Sequence, residues 1–156
     1  MPEIKVRQLK NLQKMNNEQK DQDLHVNRHS SNEMLSAALP VRVQRKRSKG
    51  WKMPLNTVYV GRGTRFGNPF RLDADGFIEN YTRWGQWENW SYSNNFSIKD
   101  VVELYEQWVD GQLRNNRLPL PPKWSDISNL KGKNLSCFCP LSEPCHADVL
   151  LRLSNG

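Results

Sequence analysis

The chain has 156 residues, 37% of them hydrophobic, and a formal net charge of +7. This length suits one ordinary domain, and the modest hydrophobic fraction predicts that part of the chain lies outside any core. No stretch approaches the roughly 18 consecutive apolar residues of a membrane span, and the charged residues Glu3, Lys5 and Arg7 are unlike a signal peptide. We therefore expect no membrane association and a cytoplasmic location.

The positive charge is concentrated in residues 1–52, which hold twelve lysines and arginines against five acidic residues. Residues 1–39 contain no aromatic side chain, so they bury too little apolar surface to offset the entropy of ordering. We predict a disordered basic tail there, or a weak helix near residues 4–20, that is solvated or contacts nucleic-acid phosphates. His25 and His29 lie at helical spacing, but without a third ligand nearby we interpret them as solvated.

The domain is predicted to span residues 40–156 and to open with two strands. Val41 and Val43 alternate with polar residues as in a half-buried strand, and residues 57–60 have strong β propensity. Residues 72–96 are polar and rich in aromatic residues, which we expect to pack as a lid or insertion over the core. A base-stacking platform is the alternative. The aromatic side chains are Tyr81, Trp84, Trp87, Trp90 and Tyr92.

The C-terminal part predicts a helix, a strand and a second helix. Ser97 and Asp100 have the form of a capping box, and apolar residues then recur at the spacing of one helical face. The prolines of residues 119–122 predict an extended connection, followed by a buried strand at 135–139 and a terminal helix at 147–153. The order of elements predicts a small α/β domain with a short mixed or parallel sheet flanked by helices.

The loop that follows the second strand has the sequence GRGTRFGNPF, Gly61–Phe70. Glycine lets backbone N–H groups approach a ligand closely, and guanidinium groups bind phosphate or carboxylate oxygens, so the loop predicts an anion site. It has neither the Gly-Lys-Ser/Thr of a P-loop nor the glycine spacing of a dinucleotide fingerprint. A tight turn is the structural alternative. The predicted ligand-binding residues are Arg45, Gly61, Arg62, Arg65, Gly67 and Asn68.

All three cysteines lie between residues 137 and 145, too close together for a disulfide framework. Cys137 and Cys139 end a strand, whereas Cys145 and His146 open a helix, so the four side chains are expected at one edge of the sheet. The favoured interpretation is an anion-recognition or packing corner. A reactive thiol is an alternative, because a helix N-terminus and a histidine lower a thiol pKa, which makes Cys145 and His146 the candidate catalytic residues.

A zinc site with the ligands Cys137, Cys139, Cys145 and His146 is the third interpretation. The spacing argues against it, because adjacent residues on a helix diverge by about 100°. No cofactor is therefore predicted.

Three segments together are similar to the bacterial and phage family catalogued as domain of unknown function 4326. The similarity covers most of residues 41–155, with Phe66 and Phe138 where the family usually has tryptophan and a longer segment at 72–96. The similarity implies a bacterial or phage source and, if the protein is phage-encoded, a location in the host cytoplasm. It also implies a functional site in the three shared segments, but it implies no activity. The segments are QRKRSKGWKMP (44–54), NTVYVGRGTRFGNPF (56–70) and LKGKNLSCFCPLSEPCHADVLLRLSN (130–155).

The leading functional prediction is a domain that binds, or acts on, a nucleotide or another phosphate-bearing small molecule. Any chemistry would be transfer or hydrolysis at a sugar or phosphate. In the first alternative the chain is a nucleic-acid-binding accessory protein that uses residues 42–52 and the aromatic residues of 84–92. In the second it is a phage protein that binds a host protein through the Trp-rich segment.

Overall fold

Two small sheets and three helices make up the part of the chain that the computed structural model describes, residues 39–156. The predictions made for the N-terminal tail, including the histidines at 25 and 29, lie outside the described residues. In chain order the elements are β1 (Arg42–Gln44), β2 (Thr57–Tyr59), β3 (Phe70–Leu72), β4 (Ile78–Tyr81), β5 (Trp87–Asn89), α1 (Ile98–Val109), α2 (Trp124–Ser128), β6 (Asn134–Cys137) and α3 (His146–Asn155). The predicted α/β class is confirmed.

The first sheet is parallel, with β6 between β1 and β2. Gln44 is paired with Cys137, and Tyr59 with Ser136, so the three strands end at the same edge of the sheet. Parallel sheets are usually covered on both faces, and β6 is buried accordingly from Leu135 to Cys137. This register brings the basic run of residues 45–49, the glycine loop and the first cysteine to one edge.

The second sheet is antiparallel, in the order β3, β4, β5. It is formed by the end of the glycine loop and the aromatic-rich segment, which the sequence predicted as an insertion without assigning it strands. Trp90 packs against the core, with its ring centroid 5.3 Å from that of Phe70 in an edge-to-face arrangement. The aromatic segment therefore covers part of the core with a sheet of its own.

Helix α1 packs against β3 of the antiparallel sheet and against α3. The predicted capping box is present, since the backbone N–H of Ser97 donates to the Asp100 carboxylate at 2.7 Å. One face of the helix is buried, and on it the Tyr105 hydroxyl donates to the Phe66 carbonyl oxygen at 2.8 Å. The core thus holds the glycine loop in position. No helix among the described residues is long and apolar enough to cross a membrane.

Candidate functional site

A cavity of about 460 Å³ opens at the carboxyl edge of the parallel sheet. We call it the thiol cavity, because all three cysteines line it together with His146. Arg62 and His146, which belong to the two predicted loops, therefore share one cavity. Its cationic side chains are Arg47, Arg62 and Arg71, and no acidic residue of the described chain lines it.

The three thiols form a compact group. The Sγ atoms of Cys137 and Cys139 are 3.5 Å apart, and all three Sγ atoms lie within 4.8 Å of one another. Cys145 is 1% exposed and Cys137 6% exposed. Three sulfurs this close together can hold a metal ion.

The position of Cys145 explains why the thiols converge. Cys145 is the N-cap of α3 and has extended backbone angles (φ −145°, ψ 144°), so it precedes the helix. The sequence spacing disfavours a metal site only if Cys145 and His146 are neighbours within a helix. The N-cap conformation removes that objection for Cys145, whose Sγ turns towards the other two thiols.

His146 is buried and is bound to the end of β2. Its Nε2 lies 2.8 Å from the Val60 carbonyl oxygen. A carbonyl oxygen only accepts hydrogen bonds, so Nε2 carries the proton and Nδ1 keeps its lone pair, 3.7 Å from the Cys145 Sγ. Burial lowers the pKa of His146 below its usual value, which favours this neutral form. His146 is not part of the metal-competent group found among residues 39–156.

Hydrogen bonding among the thiols sets their acidity in the metal-free protein. The pKa of Cys137 is lowered, chiefly by hydrogen bonds from the Cys139 and Cys145 thiols, whereas the pKa of Cys145 is raised by the same contacts. This differs from the expectation of a lowered pKa at Cys145, because the neighbouring thiols outweigh the helix N-terminus.

Two of the three glycines of the loop, Gly61 and Gly67, are required by packing within the protein. A Cβ at Gly61 would collide with the Tyr59 ring, and a Cβ at Gly67 would lie 2.8 Å from the Arg62 Cα. Asn68 is buried, and its Oδ1 accepts from the Phe70 backbone N–H at 2.8 Å. The loop is consequently a tight, fixed turn as well as a cavity wall.

Arg62 lies at the centre of the site, because it lines the thiol cavity and also a second cavity on the other side of the loop. Its Nη2 donates to the Phe70 carbonyl oxygen at 3.1 Å, and burial lowers its pKa. Arginine nevertheless remains protonated in proteins. Its guanidinium lies 5.1 Å from the centroid of the Trp87 ring, on which the Arg71 guanidinium also packs, at 3.9 Å.

The second cavity, of about 440 Å³, is mostly apolar, and we call it the aromatic cleft. Its lining includes Arg62, Arg65, Asn68, Tyr81, Trp87, Trp108 and Pro119. Arg65, which the sequence predicted to hold the anion, is 65% exposed here and pairs with Asp126 at 2.8 Å. Asn68 and Arg62 line both cavities.

The arginines of the basic run have different places from those predicted. Arg45 lies 4.6 Å from the Tyr59 ring centroid and does not line the thiol cavity, whereas Arg47 does and packs on Phe138 at 4.8 Å. Sequence reasoning missed Arg47 and Arg71 as site residues. Arg71 directly follows the glycine loop, which is the one signal that pointed to it.

Arg42 has a structural task that the sequence did not indicate. Its Nη2 lies 2.8–3.2 Å from the carbonyl oxygens of Pro140, Leu141 and Glu143, and its Nη1 is 3.0 Å from the Asp148 carboxylate. It holds the segment between Cys139 and Cys145 in place. The nucleic-acid alternative predicted that Arg42 contacts phosphates, but the Arg42 side chain is only 9% exposed.

The exposed aromatic side chains are relevant to the two alternative functions, nucleic-acid binding and binding of a host protein. Trp84 is 63% exposed and Tyr92 fully exposed, whereas the Trp87 ring is occupied by guanidinium groups. Stacking on a base or on a host protein remains a prediction for Trp84 and Tyr92.

Comparison with known proteins gives one family. No curated protein and no solved structure matches the chain. The family model described as Domain of unknown function (DUF4326) matches residues 43–156, which include both loops and all three cysteines. The bacterial or phage source implied by the resemblance stays a prediction. The chain belongs to the DUF4326 family.

Proposed function

We propose that this domain binds a nucleotide or another phosphate-bearing small molecule in the thiol cavity. The observation that carries the proposal is the charge of the lining, which has three arginines and, among the described residues, no acidic side chain. Guanidinium groups bind phosphate oxygens through paired, charge-assisted hydrogen bonds. A phosphate group supplies the negative charge that balances such a lining.

The arginines are held in ways that leave donors for a ligand. The guanidinium carbon of Arg47 lies over the Phe138 ring, 4.8 Å from its centroid, a contact that does not consume its N–H groups. Among residues 39–156, the Arg62 side chain donates one hydrogen bond, to Phe70, out of five available N–H donors. Arg71 is partly engaged, because its Nε pairs with Glu79 at 2.6 Å. Arg62 and Arg47 are therefore the main anion ligands in this proposal.

The size and surroundings of the cavity favour a ligand with an organic part. Its volume of about 460 Å³ falls within the range of small-molecule sites, roughly 300–1,000 Å³. The adjoining aromatic cleft shares Arg62 with it and provides apolar surface for a base or sugar. A nucleotide whose phosphate lies against Arg62 fits both properties.

We also propose that the three thiols hold a zinc ion. Thiolates are the preferred soft ligands of zinc, and sulfurs of one tetrahedral site lie about 3.8 Å apart at Zn–S distances of about 2.3 Å. The separation of 3.5 Å between Cys137 and Cys139 is close to that value. A zinc-bound Cys145 would not act as a free nucleophile, so the zinc proposal replaces the reactive-thiol interpretation. Reduced thiols fit a cytoplasmic location.

Native mass spectrometry of the full chain, purified without a metal-affinity tag or chelator, tests both the proposed zinc binding and the proposed small-molecule binding. We expect one zinc ion per chain, and a retained small molecule in the unwashed sample would name the ligand class. A mass equal to that of the bare chain after purification in zinc-containing buffer would contradict the zinc proposal.

Calorimetric titration with inorganic phosphate, AMP, ADP and ATP tests the ligand class. Arg62→Gln should weaken the best ligand by about tenfold to a hundredfold, the value of a hydrogen-bonded charge. Arg152→Gln is the matched control, because Arg152 pairs with Glu106 on the surface and lines neither cavity. Equal affinities for both variants would contradict the role of Arg62 as an anion ligand. Binding only to DNA or RNA, with a steep salt dependence, would favour the nucleic-acid alternative instead.

A further inference from the structure

The three thiols supply only three of the four ligands that a zinc ion normally has. Zinc in proteins is almost always four-coordinate: structural sites supply four protein ligands, whereas catalytic sites supply three and keep one position open. The group formed by residues 39–156 contains three ligand atoms, the Sγ atoms of Cys137, Cys139 and Cys145. A fourth ligand must come from His146, from another part of the chain or from solvent.

His146 is held in its orientation by a hydrogen bond to the residue that follows β2. Its Nε2–H donates to Val60 at 2.8 Å, and its ring is packed edge-on against Tyr105 at a centroid distance of 5.1 Å. The Nδ1 atom lies near the Cys145 sulfur but outside the group that the three sulfurs form. The bond to Val60 and the packing on Tyr105 hold the ring in this position, outside the group.

The open side of the thiol group faces the cavity. All three cysteines line the thiol cavity, and so do Arg47 and Arg62. Cys139 is only half-buried, so solvent reaches the group from that side. Three thiolates leave a bound zinc ion with one net negative charge, and the arginines that face the same space offset it.

We infer that a zinc ion on Cys137, Cys139 and Cys145 keeps its fourth position open to the thiol cavity, where a solvent oxygen binds it and a phosphate oxygen replaces that solvent. This inference rests on the proposed zinc and phosphate binding and adds that both occur at one point. The arginines and the metal then contact the same anion.

X-ray absorption at the zinc edge of the full-length holoprotein tests the open position directly. We expect three sulfur neighbours and one oxygen neighbour, without the multiple scattering of an imidazole. His146→Gln is the companion variant, because the glutamine amide can still donate to the Val60 carbonyl oxygen while Nδ1 is lost. Its spectrum should match that of the wild type.

Cobalt-substituted protein tests the ligand at the fourth position, with inorganic phosphate as the probe. The visible bands of tetrahedral cobalt should shift on addition of phosphate and reach half of their full change at the dissociation constant measured by calorimetry. Arg62→Gln should move the midpoint of this shift to a phosphate concentration at least tenfold higher. The Arg152→Gln control should leave the midpoint unchanged.

Several outcomes would overturn the inference, and they differ from failure of the proposed function. An imidazole signal lost in His146→Gln would make His146 the fourth ligand, and one retained in that variant would assign it to His25 or His29. Phosphate binding with unchanged cobalt bands would leave the proposed function intact and refute the shared position. Three sulfurs and one oxygen without any phosphate binding would support the open position and refute the proposed ligand class.

Discussion

The thiols and the arginines share one cavity but are built from different kinds of structure. The cysteines come from nine consecutive positions, are held by the end of β6 and the start of α3, and are mostly buried. Arg47, Arg62 and Arg71 come from three separate segments and pack on aromatic rings near the surface. The metal side of the cavity is thus fixed by the backbone, whereas the anion side consists of side chains that can adjust to a ligand.

Removal of metal should give the largest effect on stability, because the thiol side is part of the core. If zinc is bound at a thousand times its dissociation constant, chelation should lower the free energy of unfolding by about 4 kcal/mol. Denaturant unfolding with and without a strong chelator measures this difference. Arg62→Gln should lose the same amount, since it alters only the anion side, and an unchanged midpoint in the wild type would contradict the metal assignment.

Arg42→Met should give the next largest effect, because it tests how the segment between the cysteines is held. The substitution leaves the carbonyl oxygens of Pro140, Leu141 and Glu143 without their donor, so we expect a loss of about 2–4 kcal/mol in the free energy of unfolding. Zinc affinity should fall as well, as measured by competition with a chromogenic chelator.

The surface pair of Arg152 with Glu106 provides the matched control for Arg42. Arg152→Met should change the free energy of unfolding by less than about 1 kcal/mol, as is typical of exposed ion pairs. Similar losses in the two variants would mean that the ties of Arg42 to the cysteine segment have no special weight.

The same contrast explains how much of the molecule could be predicted from its sequence. The α/β class, the parallel strands and the capping box at Ser97 follow from local patterns, and the structure has all of them. The antiparallel sheet was missed because its strands have only three or four residues, in which charged or amide side chains stand beside the apolar ones. Helix α2, with five residues, is too short for a helical period to be visible.

The site likewise contains residues that could be predicted from the sequence and residues that could not. The cysteines could be expected to meet because they are close in sequence, although the N-cap backbone of Cys145 was needed to show how. Arg47 and Arg71 could not be selected from the other cations, since their place in the cavity depends on strand register and on the rings of Phe138 and Trp87. Arg45 was predicted instead, but it packs on the Tyr59 ring and does not line the thiol cavity.

Arg71→Gln should weaken phosphate binding moderately. Arg71 lines the thiol cavity, but Glu79 already occupies part of its guanidinium, so we expect about a fivefold loss, equivalent to about 1 kcal/mol. Zinc content should not change. A loss as large as that of Arg62→Gln would mean that the pair with Glu79 opens when the ligand binds.

Arg65→Gln should give the smallest effect, and it separates the two cavities. Arg65 lines the aromatic cleft and not the thiol cavity, and its exposed pair with Asp126 contributes less than about 1 kcal/mol to stability. Inorganic phosphate should therefore bind Arg65→Gln as it binds the wild type in calorimetric titration. A nucleotide that extends past Arg62 into the aromatic cleft would bind this variant more weakly than the wild type while phosphate would not, and that difference would locate the organic part of the ligand. Weaker binding of phosphate itself would place the anion on the other side of the glycine loop, away from the thiols.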